Sequence, residues 1–251
     1  MTLLEPQAEA DAGPEALYGY SLEELVELLE FATPAEAEVI AEVLEARLYL
    51  EEPVRWVETR LSEELWSKQV EILESVRDHR RTAVHSCHAA GKSHIAARVA
   101  GWWVECHPPG EAFVVSTAPS WPQVRAILWR YINQVHRKGE LVGRVNQTEW
   151  WIGEELVGYG RKPADNDQEG FQGIHARYVL VIVDEAAGIP ATLWAAILSL
   201  LTTADCRLLA IGTPDYAGSE FARMCSPSSA YNVVHIDGLA TPNFTDEPIP
   251  A

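Results

Sequence analysis

The stretch Ser86-Cys87-His88-Ala89-Ala90-Gly91-Lys92-Ser93 decides the fold. It fits the phosphate-loop pattern GxxxxGK[ST] at every defined position except the first, where Ser86 stands for glycine. Upstream, Thr82 to Val84 reads as a short strand. Downstream, Ile95 to Trp103 reads as a helix, closed by Pro108, Pro109 and Gly110. In a strand, loop and helix of this kind, backbone N–H groups and the helix N-terminus receive phosphate oxygens. Ser86, Cys87, His88, Ala89, Ala90, Gly91, Lys92 and Ser93 are therefore the expected nucleotide cradle. Lys92 would reach the β- and γ-phosphates, and the Ser93 hydroxyl would ligate Mg²⁺.

Two further segments point to the same sheet edge. Leu180-Val181-Ile182-Val183-Asp184-Glu185 is a buried-strand run that ends in adjacent carboxylates. Parallel sheets present ligand groups at the carboxyl ends of their strands. Asp184 thus reads as a Mg²⁺ carboxylate and Glu185 as the general base that polarises the attacking water. Leu208 to Asp215 delivers Gly212-Thr213-Pro214 in the same way, so that Thr213 can hydrogen-bond the γ-phosphate or the lytic water. Around these segments the pattern predicts a helix over Trp66–Arg77, a strand over Ala112–Thr117, a helix over Val124–Val135 and a hairpin over Thr148–Gly160. A polar loop over Arg161–Gln172, a helix over Leu193–Leu201 and a last strand over Tyr231–Ile236 complete it. Alternating strands and helices imply an α/β fold with a mostly parallel sheet covered by helices on both faces. Trp102, Trp103, Trp129 and Trp194 fall on helices and read as core.

Composition sets the bounds. With 251 residues, 47% hydrophobic and 22% charged, the chain is long enough for a large core and excludes intrinsic disorder for its bulk. No apolar run approaches a membrane span, and the acidic start lacks the layout of a secretory signal, so a cytosolic location is expected. The four cysteines form no CxxC pair. The net charge of −18 is concentrated at one end, where residues 1–64 carry 17 acids and 3 bases. A loose leader is expected up to Tyr20. Ser21 with Glu24 reads as a capping box, and Thr33, Pro34 and Glu36 repeat the start signal. The result would be an acidic helical hairpin, read as a solvated face or as a docking surface for a basic partner. No continuous basic stripe is legible, so duplex DNA binding is expected to be weak, salt-sensitive and indifferent to sequence.

Additional short motifs carry a resemblance. They are Trp66-Ser67-Lys68-Gln69, Ser116-Thr117-Ala118-Pro119, Gly170-Phe171-Gln172-Gly173-Ile174-His175, Ala186-Ala187-Gly188-Ile189-Pro190 and Ile211-Gly212-Thr213-Pro214. Together with the phosphate loop and Asp184-Glu185, they make the chain resemble the ATPase domain of the large subunit of tailed-phage terminases over roughly Trp66 to Asn243. The resemblance implies a phosphate-loop ATPase of the additional-strand, catalytic-glutamate type. Its activity would be Mg²⁺-dependent ATP hydrolysis that drives double-stranded viral DNA into a procapsid. It places Gln69 in an adenine-recognition motif, Glu185 as the catalytic carboxylate and Thr213 in the motif coupling hydrolysis to movement. The implied partners are double-stranded DNA, the portal protein, the small terminase subunit and sister subunits in a homo-oligomeric ring. The chain alone would be a monomer. It would act in the host cytoplasm, transiently at the portal.

Two departures stand out. Many large terminases carry a basic residue near the start of the phosphate loop, where this chain offers His85 and His88. Arg161, beside Lys162, is the first candidate for an arginine supplied in trans, matched by region only, with Arg144 and Arg125 next. Such subunits also continue into a nuclease domain. The expected division is an acidic leader and hairpin over 1–53, an ATPase domain over 54–240 and a linker over 241–251 toward a nuclease absent from this chain. A helicase-like translocase, or an assembly module with negligible turnover alone, is the alternative.

Overall fold

The computed structural model describes residues 14–162, 171, 174, 176–214 and 216–249. It divides into two compact units, with the division between Leu48 and Tyr49. The first contains α1 (Pro14–Leu17), α2 (Leu22–Leu29) and most of α3 (Pro34–Glu51). Helix therefore begins before the Ser21 start read from sequence, with Pro14 supplying a helical φ. The Ser21 capping box forms as expected: the Glu24 backbone N–H donates to Ser21 Oγ at 3.1 Å, and the Ser21 N–H donates to Glu24 Oε2 at 2.7 Å. Thr33 and Glu36 repeat it, the Thr33 N–H donating to Glu36 Oε2 at 2.8 Å. Leu25, Ile40 and Val43 form the small core of this unit. The carboxylates of Glu23, Glu24, Glu27, Glu30, Glu36, Glu38, Glu42 and Glu45 belong to exposed residues.

The second unit opens with α4 (Pro53–Leu61), which sequence reading passed over by treating Pro53 as a boundary. Proline is tolerated at a first helical position because the N–H it lacks would have no partner there. Next come α5 (Ser67–Asp78), β1 (Arg81–Ser86), α6 (Lys92–Cys106) and β2 (Ala112–Thr117). The expected helix over Val124–Val135 is two pieces, a π-helical turn at Gln123–Leu128 and α7 (Trp129–Lys138). Then follow β3 (Arg144–Asn146), β4 (Glu149–Ile152), β5 (Glu155–Gly160), β6 (Tyr178–Val183), α8 (Ala191–Ser199) and β7 (Arg207–Gly212). The unit ends with α9 (Glu220–Met224), β8 (Asn232–Ile236) and α10 (Pro242–Thr245).

Among the described residues, eight strands form one sheet in the order β3-β4-β5-β2-β6-β7-β1-β8. From β5 to β8 every neighbouring pair is parallel, and only β3 and β4 join antiparallel. Alternation along the strands divides the core in two. Val84, Val114, Leu180 and Ile182 face one cluster with the apolar sides of α5, α6 and α7, while Ala83, Val115, Val181 and Val183 face another with α8 and α9. Trp102, Trp103, Trp129 and Trp194 are all buried, and Trp150 is buried while its neighbour Trp151 is only half-buried. In the sheet, β7 is inserted between β1, which leads into the Ser86–Ser93 loop, and β6, which ends at Asp184. No helix among the described residues is long and apolar enough to cross a membrane.

Candidate active site

Every strand of the parallel set ends at the same edge, and the residues singled out from sequence follow those ends. Ser86 closes β1, Arg161 follows β5, Asp184 follows β6 and Thr213 follows β7. Ser86 is buried and still paired in register with Ile236 of β8. Cys87 donates its N–H to the Ile236 carbonyl at 3.2 Å, so β8 holds the root of the loop. Ser86 itself is not among the positive-φ residues, which is why serine can stand where the pattern writes glycine. Farther along, Ala89 has φ 58° and Gly91 has φ 74°, the latter as the N-cap of α6. Alternating right- and left-handed residues turn successive N–H groups toward one concavity, the arrangement that binds anions.

Lys92 is 7% exposed and arches back over the loop, its Nζ donating to the Cys87 carbonyl at 2.8 Å. Ser93 Oγ donates to Asp184 Oδ2 at 2.8 Å. This bond crosses β7 to join the Ser86–Ser93 loop to the end of β6. Asp184 Oδ1 accepts the Glu185 N–H at 3.0 Å, and the Asp184 N–H donates to the Thr117 carbonyl at 2.9 Å. Burial is the largest influence on the Asp184 carboxyl and raises its pKa, with the Glu185 charge adding to the rise; the Ser93 and Glu185 hydrogen bonds and the Lys92 charge oppose it. Glu185 sits at φ 48°, ψ 47°, a left-handed conformation that is costly for a glutamate. Gly212, beside Thr213, packs closely on the turn after Glu185: a Cβ there would lie 3.0 Å from the Ala186 nitrogen.

Three buried oxygens at this edge have no hydrogen-bond partner among the described residues: Thr117 Oγ1, Thr213 Oγ1 and Gln69 Oε1. Gln69 is 1% exposed and lies beneath the loop. Its Nε2 is 3.4 Å from His94 Nδ1 and would meet a Cβ on Gly91 at 2.9 Å. The structure thus brings Gln69 to the loop but covers it, so an adenine could reach this amide only if the loop shifts. Thr117 is a residue that sequence reasoning quoted within a motif without giving it a role.

His85 pairs edge-on with His235 at 4.6 Å between ring centroids. Burial, and secondarily the His235 charge, lower the His85 pKa, so His85 is neutral near pH 7. His88 is exposed. Arg161 is exposed, donates its backbone N–H to the Ser116 carbonyl at 2.9 Å, and stacks its guanidinium over Tyr159 at 4.5 Å. Of the motif Gly170 to His175, only Phe171, which is buried, and Ile174 are described; Gly170, Gln172, Gly173 and His175 lie outside the described residues.

No family model matches the chain, and no curated protein matches it by sequence. Solved structures match it in fold. The ATPase domain of the large terminase of Thermus phage P74-26 is similar with a TM-score of 0.56 at 20% identity, over 72% of this chain and 84% of that one. The large terminase of another thermophilic bacteriophage, in complex with ADP, gives 0.53 at 13% identity over 68% of this chain and 44% of that one. The HK97 bacteriophage large terminase gives 0.53 at 15% over 74% and 43%. The chain has the fold of a phage large-terminase ATPase domain, and spans less than half the length of the latter two proteins.

Proposed function

We propose that the chain is a Mg²⁺-dependent ATPase that drives double-stranded viral DNA into a procapsid. The observation that carries the reading is the 2.8 Å bond from Ser93 to Asp184, with Glu185 next in sequence. It joins an anion-binding loop to paired carboxylates. The inserted strand β7 supports assignment to the additional-strand, catalytic-glutamate class of phosphate-loop ATPases. The donor set suits Mg²⁺: a hydroxyl and a buried carboxylate are hard oxygen ligands, and a carboxyl raised by burial gains from a cation beside it. When bound, Mg²⁺ would neutralise charge on the β- and γ-phosphate oxygens.

The chain's own groups would do the rest. Lys92 exchanges the Cys87 carbonyl for phosphate oxygens. Glu185 orients a water and accepts its proton as the water oxygen bonds to the γ-phosphorus and the bond to the bridging oxygen breaks, releasing ADP. Thr213, with its unpartnered hydroxyl, reads the γ-phosphate. Gln69, with its orphaned carbonyl oxygen, reads the adenine after the loop shifts. The phosphate loop contains no arginine and His85 is neutral, so we assign the missing positive charge to a neighbouring subunit of a ring, with Arg161 first in line. Residues 1–53 would be an acidic accessory segment, 54–240 the ATPase and 241–251 a linker. The portal protein and the small terminase subunit complete the proposed machinery in the host cytoplasm. Calorimetric titration with Mg²⁺-ATP tests the site: the parent should bind and Lys92→Ala should lose most of its affinity. Equal binding by a folded Lys92→Ala protein would refute it.

A further inference from the structure

Between α6 and α7 the described residues form a cavity of about 750 Å³. Its cations are Arg98 from α6 and Arg130, Arg137 and Lys138 from α7, against a single carboxylate, Glu63. This concentration is unusual in a chain of net charge −18. Arg130, Gln134, Arg137 and Lys138 are spaced at i, i+4, i+7 and i+8, so helical geometry puts them on one face, and all four are exposed.

The groove is built rather than accidental. Glu63 is 5% exposed, and its carboxylate accepts two hydrogen bonds from Arg98, at 2.8 and 2.9 Å, and one from Lys138 at 2.7 Å. One buried anion thereby fixes two cations in place. Arg130 lies against the Tyr131 ring at 5.2 Å. Among the described residues no carboxylate pairs with Arg130 or Arg137. The groove therefore holds an excess of positive charge.

We propose that this groove binds the phosphate backbone of duplex DNA. The row from Arg130 to Lys138 runs about 12 Å along the helix at about 1.5 Å per residue. One small anion cannot reach both ends of such a row, whereas a strand with a phosphate every ~3.4 Å of axis meets several cations at once. Contacts of these cations to backbone phosphates carry no sequence information, so recognition is indifferent to sequence. The inner end of the groove reaches the nucleotide site. His94 Nε2 lies 3.8 Å from Glu63 Oε2, and His94 Nδ1 is 3.4 Å from Gln69 Nε2, beneath Gly91. This inference deepens the motor reading and rests on it for the choice of DNA as the polyanion.

The test measures binding of a fluorescent 30-base-pair duplex to the full chain, without nucleotide, over a series of salt concentrations. Arg130→Ala/Arg137→Ala should lower affinity about 10- to 100-fold at 50 mM salt and reduce the slope of log K against log salt by about 1.8, at about 0.9 per lost phosphate contact. Arg55→Ala/Arg223→Ala, which removes two exposed arginines elsewhere, should leave the slope unchanged. No measurable binding by the parent at 50 mM salt, or an unchanged slope in Arg130→Ala/Arg137→Ala, would overturn the proposal. So would a double variant that loses binding of poly-L-glutamate while retaining DNA, because the groove would then be a protein-docking surface. ATP binding by the same double variant, measured by calorimetry, should match the parent. Because the DNA assay contains no nucleotide, failure of the Lys92→Ala test would leave its result standing.

Discussion

Glu185 combines a catalytic assignment with a backbone conformation that opposes it, and the two can be separated. At φ 48°, ψ 47° it carries a left-handed penalty of about 1–2 kcal/mol. Asparagine is several-fold enriched in that region because its short side chain hydrogen-bonds locally. Glu185→Asn should therefore recover about 0.5–1 kcal/mol, whereas Glu185→Gln removes the same charge without that relief. For a protein of this size, 1 kcal/mol moves Tm by about 2–4 °C. Glu185→Asn should thus melt about 1–4 °C above Glu185→Gln in nucleotide-free buffer, followed by circular dichroism. Both variants should lose about 10²- to 10⁴-fold in phosphate release, the usual contribution of a general base. If Glu185→Asn melts at or below Glu185→Gln, the strain reasoning is wrong. If it melts higher yet hydrolyses ATP like the parent, the catalytic assignment is wrong.

Other expectations follow from the same edge of the sheet. Asp184→Asn should weaken Mg²⁺ dependence in an ATPase titration with the metal. It should also stabilise the metal-free protein. The folded state holds the Asp184 proton more tightly than the unfolded chain, so the carboxylate's cost grows as pH rises from the ordinary aspartate pKa of about 3.9 through the raised native value. Urea unfolding should accordingly show a larger gain for Asp184→Asn at pH 7.5 than at pH 4, and an equal gain at both would exclude the burial effect. Gln69→Ala should lose discrimination between ATP and GTP in competition binding, and unchanged discrimination would remove Gln69 from base reading. Arg161→Ala mixed with Glu185→Gln should regain turnover that neither has alone, by pairing an intact base with an intact arginine. An Arg161→Ala protein as active as the parent under assembled conditions would move attention to Arg144 or Arg125.

What the sequence made legible was local and contiguous. The loop from Ser86 to Ser93 and the run ending at Asp184-Glu185 can each be read in one glance, because strand, turn and helix follow within about twenty residues and each has its own periodicity. Strand β2 appears with the bounds expected. Pairing between distant segments was not legible. Nothing in Leu208 to Gly212 announces that β7 lies between β1 and β6, since a parallel neighbour is chosen by packing across helices rather than by adjacent residues. The cover over Gln69 escaped for the same reason: it depends on how α5 docks beneath Gly91. The α4 helix was missed because proline at a first turn looks like an interruption. The basic groove was half visible. The spacing from Arg130 to Lys138 lies in one helix, but Arg98 and Glu63 come from other elements, and only the fold brings the five charges together.

The most direct test of the central claim compares ATP turnover with ATP affinity in the parent and in Glu185→Gln, with Mg²⁺ saturating. Glu185→Gln should bind ATP as the parent does while releasing phosphate about 10²- to 10⁴-fold more slowly. A parent that fails to bind ATP, or a Glu185→Gln protein that turns over at the parental rate, would contradict it.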